Sequence, residues 1–119
     1  TNDAASAITR LTDMGVEPFL LSSSLLGVLA QRLVRKRCTA CAGQGCDACG
    51  HTGYAGRTGI FELLIATDEI RAQIHQRAAE SDLRATALRQ GMVLMRDDGQ
   101  RLVDVGITST EELLRVTRD

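Results

Sequence analysis

The four cysteines of this chain fall within twelve positions, at Cys38, Cys41, Cys46 and Cys49, in the pattern C-x2-C-x4-C-x2-C. Scattered cysteines suggest a disulfide framework, whereas two adjacent C-x-x-C pairs suggest a metal. In each pair the second sulfur returns beside the first within one tight turn. Two such turns supply four thiolates, which close a tetrahedron around zinc at a Zn–S distance of about 2.3 Å. Four protein ligands leave no position for water, so such a site is structural and carries no metal catalysis. Iron–sulfur ligation is the competing chemistry, with disulfides and free thiols as further alternatives. The lack of a Cys-Pro signal and the Gly-rich turns favour zinc. His51, two residues past Cys49, reads better as an exposed loop histidine than as a substitute ligand.

A loop that wraps sulfurs around one ion needs tight turns or positive φ, which glycine supplies. Gly43, Gly45, Gly50, Gly53, Gly56 and Gly59 crowd the cysteines and their exit, six of the chain's eleven glycines. On either side lie apolar runs. Val28 to Val34 fits a helix or a strand, since periodicity does not separate the two in a short apolar run. The run Arg57 to Ile65 is β-rich and partly alternating, so two strands around a metal loop, a zinc-tipped hairpin, is the favoured arrangement.

The remaining elements read as helices. Ala4, Ala7, Ile8, Leu11 and Met14 share one face of a first helix, capped by Asn2 or Asp3 and ended by Gly15. Glu17-Pro18 opens a short, mostly buried helix over Phe19 to Leu26. Thr67 or Asp68 caps a helix through Ile70 and Ile74, ending near Ala79. Ser81 caps another through Leu83, Ala87 and Leu88. A segment from Met92 to Val105, broken by Gly99 or entered through it, places Met95, Leu102 and Val105 inward. Ser109 with Glu112 three residues on makes a capping box for a last helix burying Leu113, Leu114 and Val116. Asp97 and Asp98 read as a turn or cap.

Of the 119 residues 44% are apolar, with two Phe, one Tyr and no Trp, so the core is aliphatic. Charged residues make up 24% and net charge is −1, so no global field recruits nucleic acid or an anionic membrane. The longest apolar stretch, Phe19 to Val34, is interrupted by serines, Gln31 and Arg32 and is shorter than the roughly 20 residues that span a bilayer. A soluble chain without membrane insertion is expected. Its start at Thr1, with neither Met nor leader, reads as a piece cut from a longer protein.

Longer strings carry a resemblance. Met14-Gly15-Val16-Glu17-Pro18-Phe19-Leu20-Leu21-Ser22-Ser23-Ser24-Leu25, Leu29-Ala30-Gln31-Arg32-Leu33-Val34-Arg35, Gly53-Tyr54-Ala55-Gly56-Arg57-Thr58-Gly59-Ile60-Phe61-Glu62-Leu63-Leu64 and Gly106-Ile107-Thr108-Ser109-Thr110-Glu111-Glu112 resemble the C-terminal part of the type II secretion ATPases, the E component, and their type IV pilus-assembly relatives. The Glu17 to Ser24 string leans toward the secretion branch. The resemblance implies an α+β fold, the C-terminal lobe of a RecA-like P-loop ATPase. It divides as residues 1–37, the end of the ATPase core; 38–56, the tetracysteine zinc knuckle; and 57–119, the second strand and a helical subdomain.

The resemblance further implies a homo-hexameric motor in the cytoplasm, peripheral to the bacterial inner membrane and docked on a secretion platform there. ATP hydrolysis with magnesium would power pseudopilus assembly, and zinc would sit on Cys38, Cys41, Cys46 and Cys49. No G-x-x-x-x-G-K-[ST] loop occurs in the chain, so by itself it is expected not to hydrolyse ATP. Thr1-Asn2-Asp3 looks like the tail of the family's His box. The family usually carries a long insertion between its two C-x-x-C pairs, where this chain has four residues, so a reduced knuckle is expected. Arg32, Arg35 and Arg57 are candidates for subunit or platform contact, against the plainer reading of solvated charge on strand edges.

A second resemblance competes. Cys38 to Gly45 fits C-x-x-C-x-G-x-G, similar to the zinc repeat of J-domain chaperones. Those usually carry four copies with wider gaps, and the flanking chain has no chaperone pattern. Shared knuckle chemistry explains this likeness better.

Overall fold

The computed structural model describes residues 3–118. Thr1 and Asn2, and with them the alternative cap at Asn2 and most of the His-box string, lie outside the described residues.

The first helix, α1 (Ala4–Asp13), starts at Asp3, whose carboxylate accepts the Ser6 N–H at 2.7 Å, while the Ser6 hydroxyl accepts the Asp3 N–H at 3.2 Å. That reciprocal box satisfies two otherwise orphaned donors. Ala4, Ala5 and Ile8 are buried, and Gly15 at φ +99° turns the chain out of the helix. Met14, expected inward, lies at the cap and is exposed. Helix α2 (Pro18–Ser24) begins on Pro18, whose missing N–H costs nothing in a first turn. It is less buried than expected: Leu21 and Ser22 face inward, whereas Phe19 and Leu20 face solvent.

Strands β1 (Gly27–Arg37) and β2 (Tyr54–Ile65) form the two-stranded sheet, and the ambiguous run 28–34 is strand. The Ala66 N–H bonds the Leu26 carbonyl at one end and the Cys38 N–H bonds the Gly53 carbonyl at the other, so the strands run antiparallel. β2 has 12 residues against 11 in β1, and Gly56 within it has φ +79°. One surplus residue with a left-handed glycine is the signature of a β-bulge. It sits close to the cysteine loop.

Helix α3 (Asp68–His75) is capped by Thr67, and α4 (Glu80–Arg89) follows. The first ends before Ala79 because Arg77 adopts φ +59°. The second starts from Ala79, with no side-chain cap; Ser81 lies inside the first turn instead. Glu80 and Asp82 there offset the helix dipole. Helix α5 (Met95–Asp104) runs unbroken through Gly99, and α6 (Thr110–Thr117) closes the order.

The chain divides into two compact units, Thr1–Ala30 with Glu62–Leu94, and Gln31–Phe61 with Met95–Asp119. In the first, α1 packs on α4 and α3 on both α2 and α4, around Ile8, Leu64, Ile70, Ile74 and Leu83. The Glu62 carboxylate, buried there, accepts the Ala4 N–H at 2.8 Å. In the second, α5 packs on α6 around Val34, Ile60, Met95, Leu102 and Leu113. A Cβ on Gly99 would come within 2.3 Å of Leu113 Cδ1 and 3.3 Å of Ile60 Cγ2. The glycine is what lets those side chains pack against the α5 backbone. Val105 and Leu114, expected inward, are exposed, and only Leu113 of its trio is fully buried.

Candidate metal centre

The cysteine loop leaves β1 at Cys38 and re-enters the sheet at Tyr54, entirely within the second unit. Its middle is one 3-10 turn, Asp47–Cys49. The Gly53 backbone shows how tightly the loop folds: at φ +84°, a Cβ there would stand 2.5 Å from the Gly43 carbonyl oxygen. Only glycine meets both demands. Ala42 and His51 also adopt positive φ.

These turns bring all four Sγ atoms within 4.8 Å of one another. Cys38 and Cys46 are 3.8 Å apart, Cys41 and Cys49 3.8 Å, and Cys46 and Cys49 3.9 Å. Sulfurs bound at about 2.3 Å to a tetrahedral centre sit about 3.8 Å apart. A disulfide needs about 2.05 Å. The donor set and its spacing therefore fit one thiophilic ion shared by four thiolates.

Backbone donors support the ionised form. The Gly45 N–H points at Cys41 Sγ (3.1 Å), and the N–H groups of Cys46 and Gly53 point at Cys49 Sγ, each at 3.2 Å. Desolvation alone would raise the Cys49 thiol, but those two N–H bonds, with the Cys41 and Cys46 thiols beside it, bring it down to about 6. Cys41 is lowered too: desolvation would raise it, but the Gly45 N–H and the Cys46 and Cys38 thiols outweigh that. Cys46 moves the other way, to about 11. The Cys49 N–H favours its thiolate, yet desolvation and the neighbouring thiols prevail. Bonds of this kind orient metal-ligating sulfurs and tune their basicity.

His51 is not among the converging atoms. Its Nε2 lies 3.0 Å from Asp47 Oδ1, with both side chains exposed, in line with the plainer reading of this residue.

What holds the base of the loop came from outside the sequence motif. Glu112 of α6 has a fully buried side chain. It accepts the Arg35 backbone N–H at 2.7 Å and the Arg35 guanidinium at 3.0 and 3.1 Å, and Arg115 at 2.8 and 2.9 Å. The Arg115 bonds, opposed by burial and reinforced by Arg35, bring its carboxyl down to about 2. The anticipated capping box is thus half formed. Ser109 Oγ does accept the Glu112 N–H at 3.1 Å, but the Glu112 carboxylate serves the arginines instead of returning to the cap. Tyr54, the first residue after the loop, hydrogen-bonds Ser109 Oγ at 2.6 Å, and the Arg35 guanidinium lies 4.2 Å from its ring centroid. The Thr108 hydroxyl bonds the Arg35 carbonyl, and the Arg37 N–H bonds the Ile107 carbonyl. The free edge of β1 is covered this way, by a loop and a helix start.

Of the three arginines considered for contacts, Arg32 donates to the Val116 carbonyl and Arg35 is held by Glu112. Arg57 is exposed on β2. Asp98, read as a turn or cap, accepts the Phe61 N–H at 2.8 Å and pairs with Arg101. Among the described residues no helix is long and apolar enough to cross a membrane.

Comparison with known proteins agrees with this architecture. The family described as "Type II/IV secretion system protein" matches residues 1–115, and the chain belongs to that family. It is 60% identical to the type II secretion system protein HxcR of Pseudomonas aeruginosa, over all of this chain and 27% of that protein. Identity to the type II secretion system ATPase E of Vibrio cholerae is 44%, over all of this chain and 28% of the relative. The type IV pilus assembly ATPase PilB of Thermus thermophilus is 42% identical, over 98% of the chain and 16% of its own length. The crystal structure of the pilus retraction motor PilT with bound ADP superposes with a TM-score of 0.70 at 24% identity, over all of this chain and 31% of that one, a likeness of fold. The chain thus spans under a third of these relatives. The V. cholerae alignment runs over 144 positions and that to HxcR over 127, against 119 residues here.

Proposed function

We propose that this chain is the metal-bearing C-terminal part of a motor ATPase for type II protein secretion, and that its four thiolates hold one structural zinc ion. The observation that carries this reading is the convergence of the four sulfurs in a chain 60% identical throughout to a type II secretion protein. The ion would stand in for a hydrophobic core in the knuckle, residues 38–56, where the side chains are mostly small or polar. Residues 1–37 would end the ATPase core, and 57–119 would form the second strand and helical subdomain. The extra positions in the V. cholerae alignment fit a knuckle shortened between its C-x-x-C pairs.

ATP and magnesium would bind elsewhere in the longer protein, since the chain has no P-loop. That protein would act as a cytoplasmic homo-hexamer beside the inner membrane, with platform components as partners and no nucleic acid. Arg57 is the best placed of the three arginines for a subunit or platform contact, because Arg32 and Arg35 already serve α6.

The test uses the full-length protein. It should turn over ATP and restore secretion to a strain lacking it, while this chain alone hydrolyses none. A full-length protein with no P-loop and no ATP turnover would overturn the reading. The second reading, a pilus-assembly ATPase, draws on the 42% identity to PilB. A deletion strain that loses surface pili and keeps secretion would favour it.

A further inference from the structure

The cysteine loop is one eight-residue turn written twice, with Cys46 and Cys49 eight positions after Cys38 and Cys41. The backbone repeats with them. The Gly43 N–H bonds the Cys38 carbonyl at 3.2 Å, and the His51 N–H bonds the Cys46 carbonyl at 2.8 Å. The Gln44 N–H bonds the Cys41 carbonyl at 3.1 Å, and the Thr52 N–H that of Cys49 at 3.3 Å. Gly45 and Gly53 then donate to Cys41 Sγ and Cys49 Sγ in turn. Gly43 and His51, at φ +83° and +63°, hold equivalent places, so this left-handed position accepts a side chain as large as histidine. Position 43 is glycine for another reason. A Cβ there would press on Arg37, at 3.0 Å from its Cγ, 3.1 Å from its Cδ and 3.2 Å from its Nε. The arginine lies across the first turn. In the second turn its place is taken by Gly45, which has no side chain.

Charge gives that placement a purpose. One divalent ion on four thiolates leaves net negative charge, which is costly to hold away from water unless it is compensated. Backbone N–H groups supply part of the compensation. Residues 38–56 contain neither Lys nor Arg, so a cationic side chain has to come from the flanks. Lys36 runs along Gly56, its Cδ 3.7 Å from where a Cβ would stand. Arg57 is exposed on β2. Of the three flanking cations, Arg37 is the one packed on a ligand-bearing turn. Its N–H bonds the Ile107 carbonyl and the next N–H, of Cys38, bonds the Gly53 carbonyl, which fixes the root of the side chain. Glu111 lines the same cavity of about 240 Å³, beside Gly43 and Gly53. Even so, the Arg37 guanidinium makes no ion pair among the described residues.

We propose that Arg37 is the counter-cation of the four-thiolate centre, a positioning residue that strengthens metal binding through its charge without ligating the ion. Arginine suits this task because it stays charged at any physiological pH and carries that charge on a planar, weakly hydrated group. The inference deepens the proposed zinc site and rests on that reading.

Chelator competition for zinc tests it, on the parent protein, Arg37→Gln, Arg37→Lys and Lys36→Gln, at about 0.01 M and about 1 M salt. At low salt Arg37→Gln should bind zinc about tenfold more weakly, the lower end of what losing support around metal ligands costs. That loss should shrink to about twofold at high salt, where the screening length falls from about 30 Å to about 3 Å. Arg37→Lys keeps the charge and should recover most of the affinity. Lys36→Gln removes an equal charge one residue away and should weaken binding no more than about twofold, as an exposed charge does. Equal affinity in the parent and Arg37→Gln would overturn the proposal. So would a loss that persists at high salt, that lysine does not rescue, or that Lys36→Gln matches. A parent that binds no zinc would instead sink the proposed metal site, and this inference with it. Zinc held equally well by the parent and Arg37→Gln would leave that site standing and remove only the counter-cation.

Discussion

Glu112 grips Arg35 twice, accepting its backbone N–H at 2.7 Å and its guanidinium at 3.0 and 3.1 Å. The residues are 77 positions apart, so one carboxylate ties the last helix to the strand that feeds the cysteine loop. Removing it strands a half-buried guanidinium and a strand N–H. Glu112→Ala should cost about 3 kcal/mol, read from the urea midpoint at neutral pH. The arginines are partly solvated, which holds the figure below the upper range for buried pairs. A loss under about 0.5 kcal/mol, the scale of an ordinary surface substitution, would mean that the grip is incidental.

The same carboxylate sets a pH dependence. Its folded value is about 2, against about 4.3 in an unfolded chain. A depressed carboxylate adds stability that is fully present above its unfolded value and is lost as pH falls toward its folded one. The stability difference between the parent and Glu112→Gln should be flat above about pH 5 and shrink between about pH 4.3 and 2. Both proteins should be compared free of metal, so that thiolate protonation cancels. A difference that is unchanged down to pH 2 would contradict the assignment.

Tyr54 works with both ends, through its hydroxyl to Ser109 and its ring under Arg35. Tyr54→Phe should cost about 1 kcal/mol for the lost hydrogen bond. Tyr54→Leu should cost about 0.5–1 kcal/mol more, for the lost cation–π contact. Equal losses in the two variants would leave the ring contact without energetic weight.

Gly53 tests the fold of the loop itself. An alanine Cβ would collide with the Gly43 carbonyl at a backbone conformation alanine disfavours. Competition with a chelator should show zinc bound at least about tenfold more weakly in Gly53→Ala, the scale of losing support around metal ligands. Unaltered affinity would show that the loop relaxes without harm.

If zinc takes the place of a core in the knuckle, Cys46→Ser should unfold the loop locally. Hydrogen exchange should lose protection across residues 38–56 and keep it in α5 and α6, whose packing on Ile60 and Leu113 involves no cysteine. Unchanged protection in the loop would count against a structural ion.

The cysteine spacing and the glycine crowding were legible because metal ligation and positive φ are demands that few residues meet. β1 was readable only by inference from the hairpin, since its apolar run alone fits a helix as well. What escaped notice has identifiable causes. Ser109 and Glu112 match a local capping pattern, and nothing local says that the carboxylate is drawn off by Arg35, so distant in sequence. Met14, Phe19, Leu20, Val105 and Leu114 were expected inside because they are apolar, yet periodicity assigns a face and not what covers it. Ser81 looked like a cap by residue type, while α4 starts two residues earlier from Ala79 with acidic side chains in its first turn.

The most direct test of the central claim is metal content per chain, by elemental analysis of protein purified without added metal, alongside assays for acid-labile sulfide and free thiols. This account predicts one zinc per chain, no sulfide, and thiols that titrate only after the metal is removed. Iron with sulfide, or no metal with four freely titrating thiols, would contradict it.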